Sequence, residues 1–365
     1  MYLGLLSGDR ATLGERMAIL RDFSKFVGVR LNSILFPVTE YEAELYKKYC
    51  FQIMETEVSA PEDVISCVAN CDAIFVVSAE LPASIIDSLS RCRVISRLGV
   101  GTDKINVRTA TEKGILVTNV PDFCVEEQAD HTLALILSLV RKLPQMSRFM
   151  FKGAWRQGRL VSNTSHRIPG QILGLVGFGR SAQAVARRAH GFGMKILATR
   201  RNMNASSQVA GELGVEMVGL NTLLSTADIV SLHLPLNDKT YHLLNSKTLG
   251  RMKPTAILIN TSRGAIVEEE ALVKLLYDGK LAGAGLDTFE NINVHAPEEK
   301  APDHPLLALE NVVLTPHVAA LSVEARQNVA VGGIQNAMAV LSGHWPPQQN
   351  VINPRVIPRA PLKYL

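Results

Sequence analysis

Residues 173–182, which read L-G-L-V-G-F-G-R-S-A, constrain the fold more than any other part of the chain. The apolar residues predict a buried strand, Gly177 and Gly179 predict a tight turn, and a helix pattern starts at Arg180. Such a turn lets the backbone approach a pyrophosphate, whose charge rests on the N–H groups at the helix N-terminus. The next strand is predicted at residues 194–199. The spacing is that of a dinucleotide-binding βαβ unit, with a glycine turn of another kind of α/β protein as the alternative.

The end of the second strand carries two arginines and no carboxylate. Thr199, Arg200 and Arg201 lie about 20 residues after the glycines, where an NAD-binding unit has an acidic residue for the ribose 2′-OH. Because a 2′-phosphate is an anion, two guanidinium groups in this place favour NADP over NAD. A solvated basic strand end is the alternative.

The composition predicts a cytoplasmic protein of two domains, since 365 residues are enough for two sizeable cores. The net charge of +4 is scattered along the chain, which predicts no nucleic-acid partner. We also expect no membrane partner, because the N-terminus has no basic leader and no apolar run is long enough to span a bilayer. The five cysteines are odd in number and lack zinc-site spacing, which indicates reduced thiols and no metal site.

The fold class predicted is α/β, with two doubly wound, Rossmann-like domains, parallel sheets and the active site in the cleft between them. Residues 1–120 and 320–365 are the predicted substrate-binding domain, and residues 121–319 the dinucleotide-binding domain. In the first domain, strands are predicted at residues 33–38, 51–58, 72–78, 93–99 and 114–120.

Three further segments complete this prediction. Residues before about Arg30 are predicted to form an extra surface helix, and residues after Trp345 a loosely held tail. The amphipathic residues 145–169 predict an arm packed on a partner subunit, with a surface loop on the same chain as the alternative.

Polar residues end several predicted strands, and in parallel sheets ligands lie beyond these carboxyl ends. Arg263 offers a fixed cation suited to the oxygens of an α-keto acid, and His317 can transfer a proton near neutrality. An exposed loop arginine and a core histidine are the alternatives. In the first domain, the glycine-rich residues 98–105 offer N–H groups to a carboxylate.

Taken together, these motifs resemble the D-isomer-specific 2-hydroxyacid dehydrogenase family over residues 31–341. The resemblance implies that the backbone N–H groups of Val100 and Gly101 bind the substrate carboxylate, that Arg263 orients and polarises the substrate, and that His317 is the acid/base. The cofactor phosphates would be held by Gly177, Gly179, Arg180 and Ser181. The cofactor cleft would be lined by His233, Leu234, Pro235, Thr240 and Thr261. Asp287 would meet the nicotinamide carboxamide.

The chain departs from the family pattern in two places. Arg200 stands where the family usually has an acidic residue, which again favours NADP over the alternative, NAD. Ile292 stands where the family has the Glu that partners the catalytic His. We expect Glu290 to take over this role, with Glu298 and Glu299 as alternatives, or His317 to work without a carboxylate partner.

The function predicted is hydride transfer between NADP and a small 2-keto or D-2-hydroxy acid, by a homodimer. The alternative is a dinucleotide-sensing binding protein that resembles the C-terminal-binding corepressors of the same family. That alternative fits the missing Glu, but it does not need both Arg263 and His317.

Overall fold

The computed structural model describes residues 26–31, 36–57, 61–202, 208–294 and 303–364. The chain divides into two compact units: unit 1 is Met1–Pro121 with Gln327–Leu365, and unit 2 is Asp122–Arg326. Within the described ranges, no helix is both long enough and apolar enough to cross a lipid bilayer.

Unit 1 contains a parallel sheet with the strand order β2-β1-β3-β4-β5. Its strands are β1 (Phe26–Leu31), β2 (Phe51–Thr56), β3 (Ala73–Val76), β4 (Val94–Arg97) and β5 (Leu116–Thr118). Its helices before unit 2 are α1 (Glu40–Lys48), α2 (Pro61–Val68), α3 (Ala83–Ser88) and α4 (Val107–Glu112). Successive residues of β3 pack into opposite cores, Ile74 on one face and Phe75 on the other. The sheet is therefore covered on both faces, which explains its continuous apolar strands.

The first strand is not where the sequence predicted it. Strand β1 comprises residues 26–31, and residues 36–39 are not in a strand. The sequence pattern did not indicate this strand, because Gly28 and Arg30 are untypical of a buried strand. A Cβ at Gly28 would lie 2.6 Å from Ile53 Cδ1, so a larger residue there would require the Ile53 side chain to move. The predicted N-terminal helix falls mainly on residues 1–25, which lie outside the described residues.

The prediction of a loosely held C-terminal tail is wrong. Asn353 and Val356 are buried, and the Ile352 N–H donates to the Val117 carbonyl at 2.9 Å. The Arg359 guanidinium donates to the carbonyls of Lys113, Cys92 and Leu89 at 2.7–2.9 Å. The prolines end regular secondary structure here, but the segment is fixed by backbone hydrogen bonds that proline content does not reveal.

Unit 2 contains a parallel sheet with the order β12-β11-β10-β9-β6-β7-β8. Its strands are β6 (Ile172–Val176), β7 (Lys195–Thr199), β8 (Val215–Met217), β9 (Ile229–Leu232), β10 (Ile257–Asn260), β11 (Gly283–Leu286) and β12 (Val312–Leu314). Its helices are α5 (Val125–Val140), α6 (Leu143–Phe151), α7 (Trp155–Ser162), α8 (Arg180–Gly191), α9 (Gln208–Glu212), α10 (Leu220–Thr226), α11 (Ser246–Leu249) and α12 (Glu269–Tyr277). Helix α13 (Val323–Leu341) starts in unit 2 and continues into unit 1.

Candidate active site

The carboxyl ends of the strands in unit 2 are aligned by their register. Val176 of β6 is paired with Thr199 of β7 and with Leu232 of β9. On the other side of β9, Leu232 is paired with Asn260, Asn260 with Leu286, and Leu286 with Leu314. The residues that follow these six strand ends therefore share one edge of the sheet. The strand order reverses at β6, so the glycine turn lies at the topological switch point.

The glycine turn has the geometry that a pyrophosphate requires. Gly177 has a φ of 96°, and a Cβ there would lie 2.2 Å from the His233 carbonyl oxygen. Gly179 is exposed, and a Cβ there would meet no heavy atom within 4 Å. Helix α8 begins at Arg180 with its first N–H groups at this open position. The turn therefore fits the diphosphate of a dinucleotide, held by backbone N–H groups at a helix N-terminus.

His233 joins this turn to the end of β9. Its imidazole is buried, with Nδ1 3.2 Å from Ser181 Oγ and Nε2 2.9 Å from Ser231 Oγ. Burial lowers the pKa of His233 to about 4, so the ring is neutral at physiological pH. The neutral ring accepts a hydrogen bond at one nitrogen and donates at the other, which fixes the Ser181 side chain beside the turn.

The loop after His233 is closed by Thr240. Its hydroxyl donates to the Pro235 carbonyl at 2.7 Å and accepts from the Asn237 N–H at 2.9 Å. Leu234 is half-buried and Pro235 is exposed. The Thr240 hydroxyl therefore holds the loop that follows β9 through its hydrogen bonds with backbone groups of Pro235 and Asn237.

Three charged residues predicted to bind the cofactor lie at the same edge. The Arg180 guanidinium is paired with the Asp122 carboxylate. Arg200 follows β7 and is half-buried, and Arg201 is exposed. No acidic residue stands between Thr199, which is buried, and the end of the described segment at residue 202.

Thr261, which is predicted to line the cofactor cleft, forms hydrogen bonds with two residues. Its hydroxyl is 3.2 Å from Thr132 Oγ1, and its carbonyl accepts from Gln128 Nε2 at 2.9 Å. Both partners belong to helix α5. The side chain of Thr261 thus links β10 to α5, a direction that strand position alone does not determine.

Asp287 is bound by the segment that carries His317. Its Oδ1 accepts from the Thr315 hydroxyl at 2.6 Å and from the Val318 N–H at 2.9 Å, and its Oδ2 accepts from the Ala319 N–H at 2.9 Å. The side chain is only 1% exposed. Burial raises the pKa of this carboxyl, and the three donors oppose that rise. These hydrogen bonds hold the segment that carries His317, and the contact of Asp287 with a nicotinamide carboxamide stays a prediction.

His317 lies inside the segment that Asp287 holds. Its φ is 58°, in the left-handed region that residues other than glycine rarely adopt. Its N–H donates to the Thr315 carbonyl at 3.0 Å, and its side chain is half-buried. The bonds to Asp287 on both sides of His317 maintain this uncommon backbone conformation.

Arg263 follows β10 in extended backbone and is half-buried. Its turn is held by Asn260, whose Nδ2 donates to the Arg263 carbonyl at 2.9 Å. The next residue, Gly264, touches the backbone after β11, because a Cβ there would lie 1.9 Å from the Phe289 carbonyl carbon. In the sequence, this contact is indicated by the glycine that directly follows Arg263.

Glu290 does not partner His317 as expected. Its Oε1 is 2.6 Å from His242 Nε2, and its Oε2 accepts from the Glu269 N–H at 3.4 Å. Ile292, at the family's Glu position, is half-buried. Glu298 and Glu299, the alternatives, lie outside the described residues.

Two polar residues beside predicted site residues, one in each unit, were missed by sequence reasoning. His131 of helix α5 places Nε2 2.9 Å from Thr315 Oγ1 and 3.6 Å from Asp287 Oδ1. Because the Thr315 hydroxyl donates to Asp287, His131 donates its Nε2–H to Thr315. Asn119, just after β5, donates to the Val100 carbonyl at 2.7 Å. Only the position of Asn119 at a strand end offered a sequence signal.

In unit 1, the loop after β4 turns its carbonyl groups toward the protein. Arg97 Nε donates to the Gly101 carbonyl at 2.9 Å, and Asn119 binds the Val100 carbonyl. Among the described residues, the N–H groups of Val100 and Gly101 have no acceptor. Adjacent N–H groups of this kind can bind a carboxylate.

Comparisons with known proteins agree on one family. Residues 133–319 match the family model of the NAD binding domain of D-isomer specific 2-hydroxyacid dehydrogenases. The glyoxylate reductase of Korarchaeum cryptofilum is 41% identical over 299 residues, which cover 80% of this chain and 86% of that relative.

Two solved structures are similar over almost their whole length. One is an NADPH-dependent glyoxylate/hydroxypyruvate reductase from Sinorhizobium meliloti, in complex with NADP and malonate, at 29% identity and a TM-score of 0.76. The match covers 92% of this chain and 99% of that one. The other is D-lactate dehydrogenase from Aquifex aeolicus, complexed with NAD and lactic acid, at 27% identity and a TM-score of 0.78. That match covers 89% of this chain and 98% of the other.

Proposed function

The chain belongs to the D-isomer-specific 2-hydroxyacid dehydrogenase family, and we propose that it reduces a small 2-keto acid with NADPH and oxidises the D-2-hydroxy acid in reverse. As a member of this family it is an NAD(P)-dependent 2-hydroxyacid oxidoreductase. The choice of NADP and of the substrate class is our proposal.

The observation that carries the proposal is the placement of Arg263 and His317. They follow β10 and β12, the two neighbours of β11, at one edge of the sheet. A fixed cation and a proton donor at one edge suit a substrate with a carboxylate and a carbonyl group. Asn260 holds the backbone of the Arg263 turn, and the Arg263 guanidinium donates to the Ser262 carbonyl at 2.8 Å. Asp287 holds the segment of His317. Both groups are therefore partly ordered before the substrate binds.

In this proposal the residues divide substrate binding and proton transfer between them. The bound nicotinamide supplies the hydride to the carbonyl carbon. Arg263 holds the substrate carboxylate and polarises the carbonyl, and His317 gives its proton to the carbonyl oxygen. The keto acid thus gains one hydride and one proton and becomes the 2-hydroxy acid. Val100 and Gly101 donate their N–H groups to the substrate carboxylate.

The NADP preference is supported by charge. Arg200 and Arg201 follow β7, where a ribose 2′-phosphate would need cations, and the described residues there include no carboxylate that would repel it. The Sinorhizobium meliloti reductase is NADPH-dependent, whereas the Aquifex aeolicus enzyme is complexed with NAD. Family membership alone therefore does not decide the cofactor.

Steady-state assays with glyoxylate, hydroxypyruvate and pyruvate, each with NADPH and NADH, test the function. We expect turnover with at least one keto acid. His317→Gln should then lower kcat by about 10²–10⁴-fold, because proton transfer is lost while binding remains. Tight dinucleotide binding without turnover across the panel would contradict the proposal and favour the dinucleotide-sensing alternative.

Homodimer formation is the second part of the proposal. Helices α6 and α7 expose large apolar side chains on the surface of the chain, with Phe151 at 91% and Trp155 at 61% exposure. Leu143, Met150 and Leu160 are exposed as well. Contiguous apolar side chains of this size are typical of a protein interface. Light scattering should give the mass of two chains, and Phe151→Glu with Trp155→Glu should give the mass of one.

The cellular location proposed is the cytoplasm. All five cysteines, Cys50, Cys67, Cys71, Cys92 and Cys124, are free thiols. Such thiols suit a reducing compartment.

A further inference from the structure

Glu269 and Glu290 bind each other's backbone N–H groups. The Glu269 N–H, at the start of helix α12, donates to Glu290 Oε2 at 3.4 Å, and the Glu290 N–H donates to Glu269 Oε2 at 3.0 Å. The Asn291 N–H also donates to Glu269 Oε1, at 3.3 Å. The Glu290 carboxylate therefore lies at the N-terminus of α12, where the helix dipole favours an anion.

Each of these carboxylates has one histidine partner. His242 Nε2 lies 2.6 Å from Glu290 Oε1, and His304 Nε2 lies 2.9 Å from Glu269 Oε1. The side chains of all four residues are 29% exposed or less, so both contacts are largely shielded from water. The His242 N–H also donates to the Ala265 carbonyl at 2.9 Å. The His242–Glu290 pair therefore joins the loops that follow β9, β10 and β11.

This pair is connected to Arg263 through backbone contact. A Cβ at Gly264 would lie 1.9 Å from the Phe289 carbonyl carbon and 2.3 Å from the Glu290 nitrogen. No side chain separates the two loops at this point. A displacement of the Glu290 backbone therefore moves Gly264, and with it the neighbouring Arg263.

We propose that His242 and Glu290 are positioning residues that aim the Arg263 guanidinium and so set the affinity for the 2-keto acid. The inference rests on the role proposed above for Arg263. Neither positioning residue contacts the substrate; the pair holds the turn in its binding conformation before the substrate arrives. This role differs from the one expected from the sequence, in which Glu290 acts on proton transfer through His317.

The variants Glu290→Gln and His242→Gln test this role with glyoxylate and NADPH. Each substitution removes one partner of the 2.6 Å contact between His242 Nε2 and Glu290 Oε1, and glutamine keeps a polar side chain in its place. We expect the KM for glyoxylate to rise about ten-fold in each variant, since a small misplacement of an orienting group is costly. In the double variant the rise should be no larger than in either single variant, because the first substitution has already broken the pair. The kcat should fall as well, because Arg263 also polarises the carbonyl. The dissociation constant of NADPH and the alkaline limb of the pH–rate profile should stay near their wild-type values.

Glu268→Gln is the matched control. It neutralises the adjacent carboxylate, whose Oε2 accepts from the Ser246 N–H at 2.8 Å, and it should leave the KM for glyoxylate unchanged. Unchanged KM values in both test variants, or losses that add in the double variant, would overturn the proposal. A shift of the alkaline limb to lower pH in Glu290→Gln would also overturn it and place Glu290 in proton transfer.

Calorimetry with oxalate separates this inference from the proposed function. Oxalate has a carboxylate beside a second carbon that bears oxygens, as a 2-keto acid has, but it cannot be reduced, so its affinity for the NADP-loaded protein can be measured without turnover. A wild-type protein that binds oxalate but reduces no keto acid would contradict the proposed function alone. In that case weaker oxalate binding by both test variants would still support the positioning role. Equal affinity in wild type and variants, or no oxalate binding at all, would overturn it.

Discussion

Asp287 and Thr315 form a buried hydrogen bond of 2.6 Å that fixes the start of the segment carrying His317. The same carboxylate accepts the N–H groups of Val318 and Ala319 beyond the histidine. One side chain at the end of β11 thus binds both flanks of His317. These hydrogen bonds hold His317 in a left-handed backbone conformation, with a φ of 58°.

Asp287→Asn should therefore impair proton transfer more than cofactor binding. An asparagine has only one acceptor oxygen, so its amide nitrogen would face one of the donors that Asp287 now accepts. We expect kcat for keto-acid reduction to fall at least about ten-fold, since the histidine loses its fixed orientation. The dissociation constant of NADPH, measured by fluorescence titration, should change little. A large loss of NADPH affinity with unchanged kcat would instead favour a direct contact of Asp287 with the nicotinamide.

The two arginines after β7 should discriminate between the two cofactors. Replacing Arg200 and Arg201 by alanine removes two cations from the place expected for the 2′-phosphate. A charge-assisted hydrogen bond contributes about 1.5–3 kcal/mol, so NADPH binding should weaken by roughly two orders of magnitude or more. NADH binding should change little, because NADH has no 2′-phosphate. Equal losses for the two cofactors would show that the arginines have another role.

In unit 1, breaking the buried ion pair of Arg30 and Glu42 should strongly lower the free energy of unfolding. Arg30 Nη1 donates to Glu42 Oε1 at 2.9 Å, and the Arg30 side chain is 4% exposed. Glu42→Gln should lower the free energy of unfolding by about 3 kcal/mol, because it leaves a buried cation without its counter-charge. Urea unfolding followed by circular dichroism measures this change. Arg30→Met combined with Glu42→Leu should recover most of the loss, and a double variant as unstable as Glu42→Gln would contradict this account.

The same pair shows why the first strand could not be predicted from the sequence. Arg30 is tolerated inside the sheet only because Glu42, on helix α1, neutralises it, and no local pattern reveals a partner in another element. Strand β6 of unit 2 was predictable because its residues are almost all apolar and are buried by both faces of the sheet. The glycine turn was predictable because a close backbone approach leaves few alternatives to glycine.

Side-chain direction beyond a strand end was not predictable in the same way. Glu290 lies only three residues after Asp287, yet the two carboxylates have different partners. The Asp287 carboxylate binds the His317 segment, and the Glu290 carboxylate binds His242. Thr261 likewise follows its strand but contacts helix α5. These directions depend on the packing of neighbouring loops, which sequence spacing does not encode. The sequence therefore predicts that these residues lie at one edge of the sheet, but it does not predict the hydrogen-bond partner of each side chain.

The last prediction concerns His233 and the pH dependence of stability. Burial lowers its pKa from 6.5 to about 4, so between these values the unfolded chain binds a proton that the folded chain does not. The free energy of unfolding must then fall as the pH is lowered through this window, and below about pH 4 the cost becomes constant. At pH 5 the depressed pKa of His233 lowers the free energy of unfolding by about 2 kcal/mol, whereas near pH 7 this loss almost vanishes.

His233→Gln is the variant that isolates this contribution. Its side chain can still form hydrogen bonds with Ser181 and Ser231, but it does not titrate. Urea unfolding at pH 7 and pH 5 should show that the wild type loses about 2 kcal/mol more than the variant over this interval. Other histidines contribute equally to both proteins, so the difference belongs to position 233. If wild type and variant lose the same free energy, His233 is not held in its neutral form, and its hydrogen bonds to the two serines cannot be those of an uncharged ring.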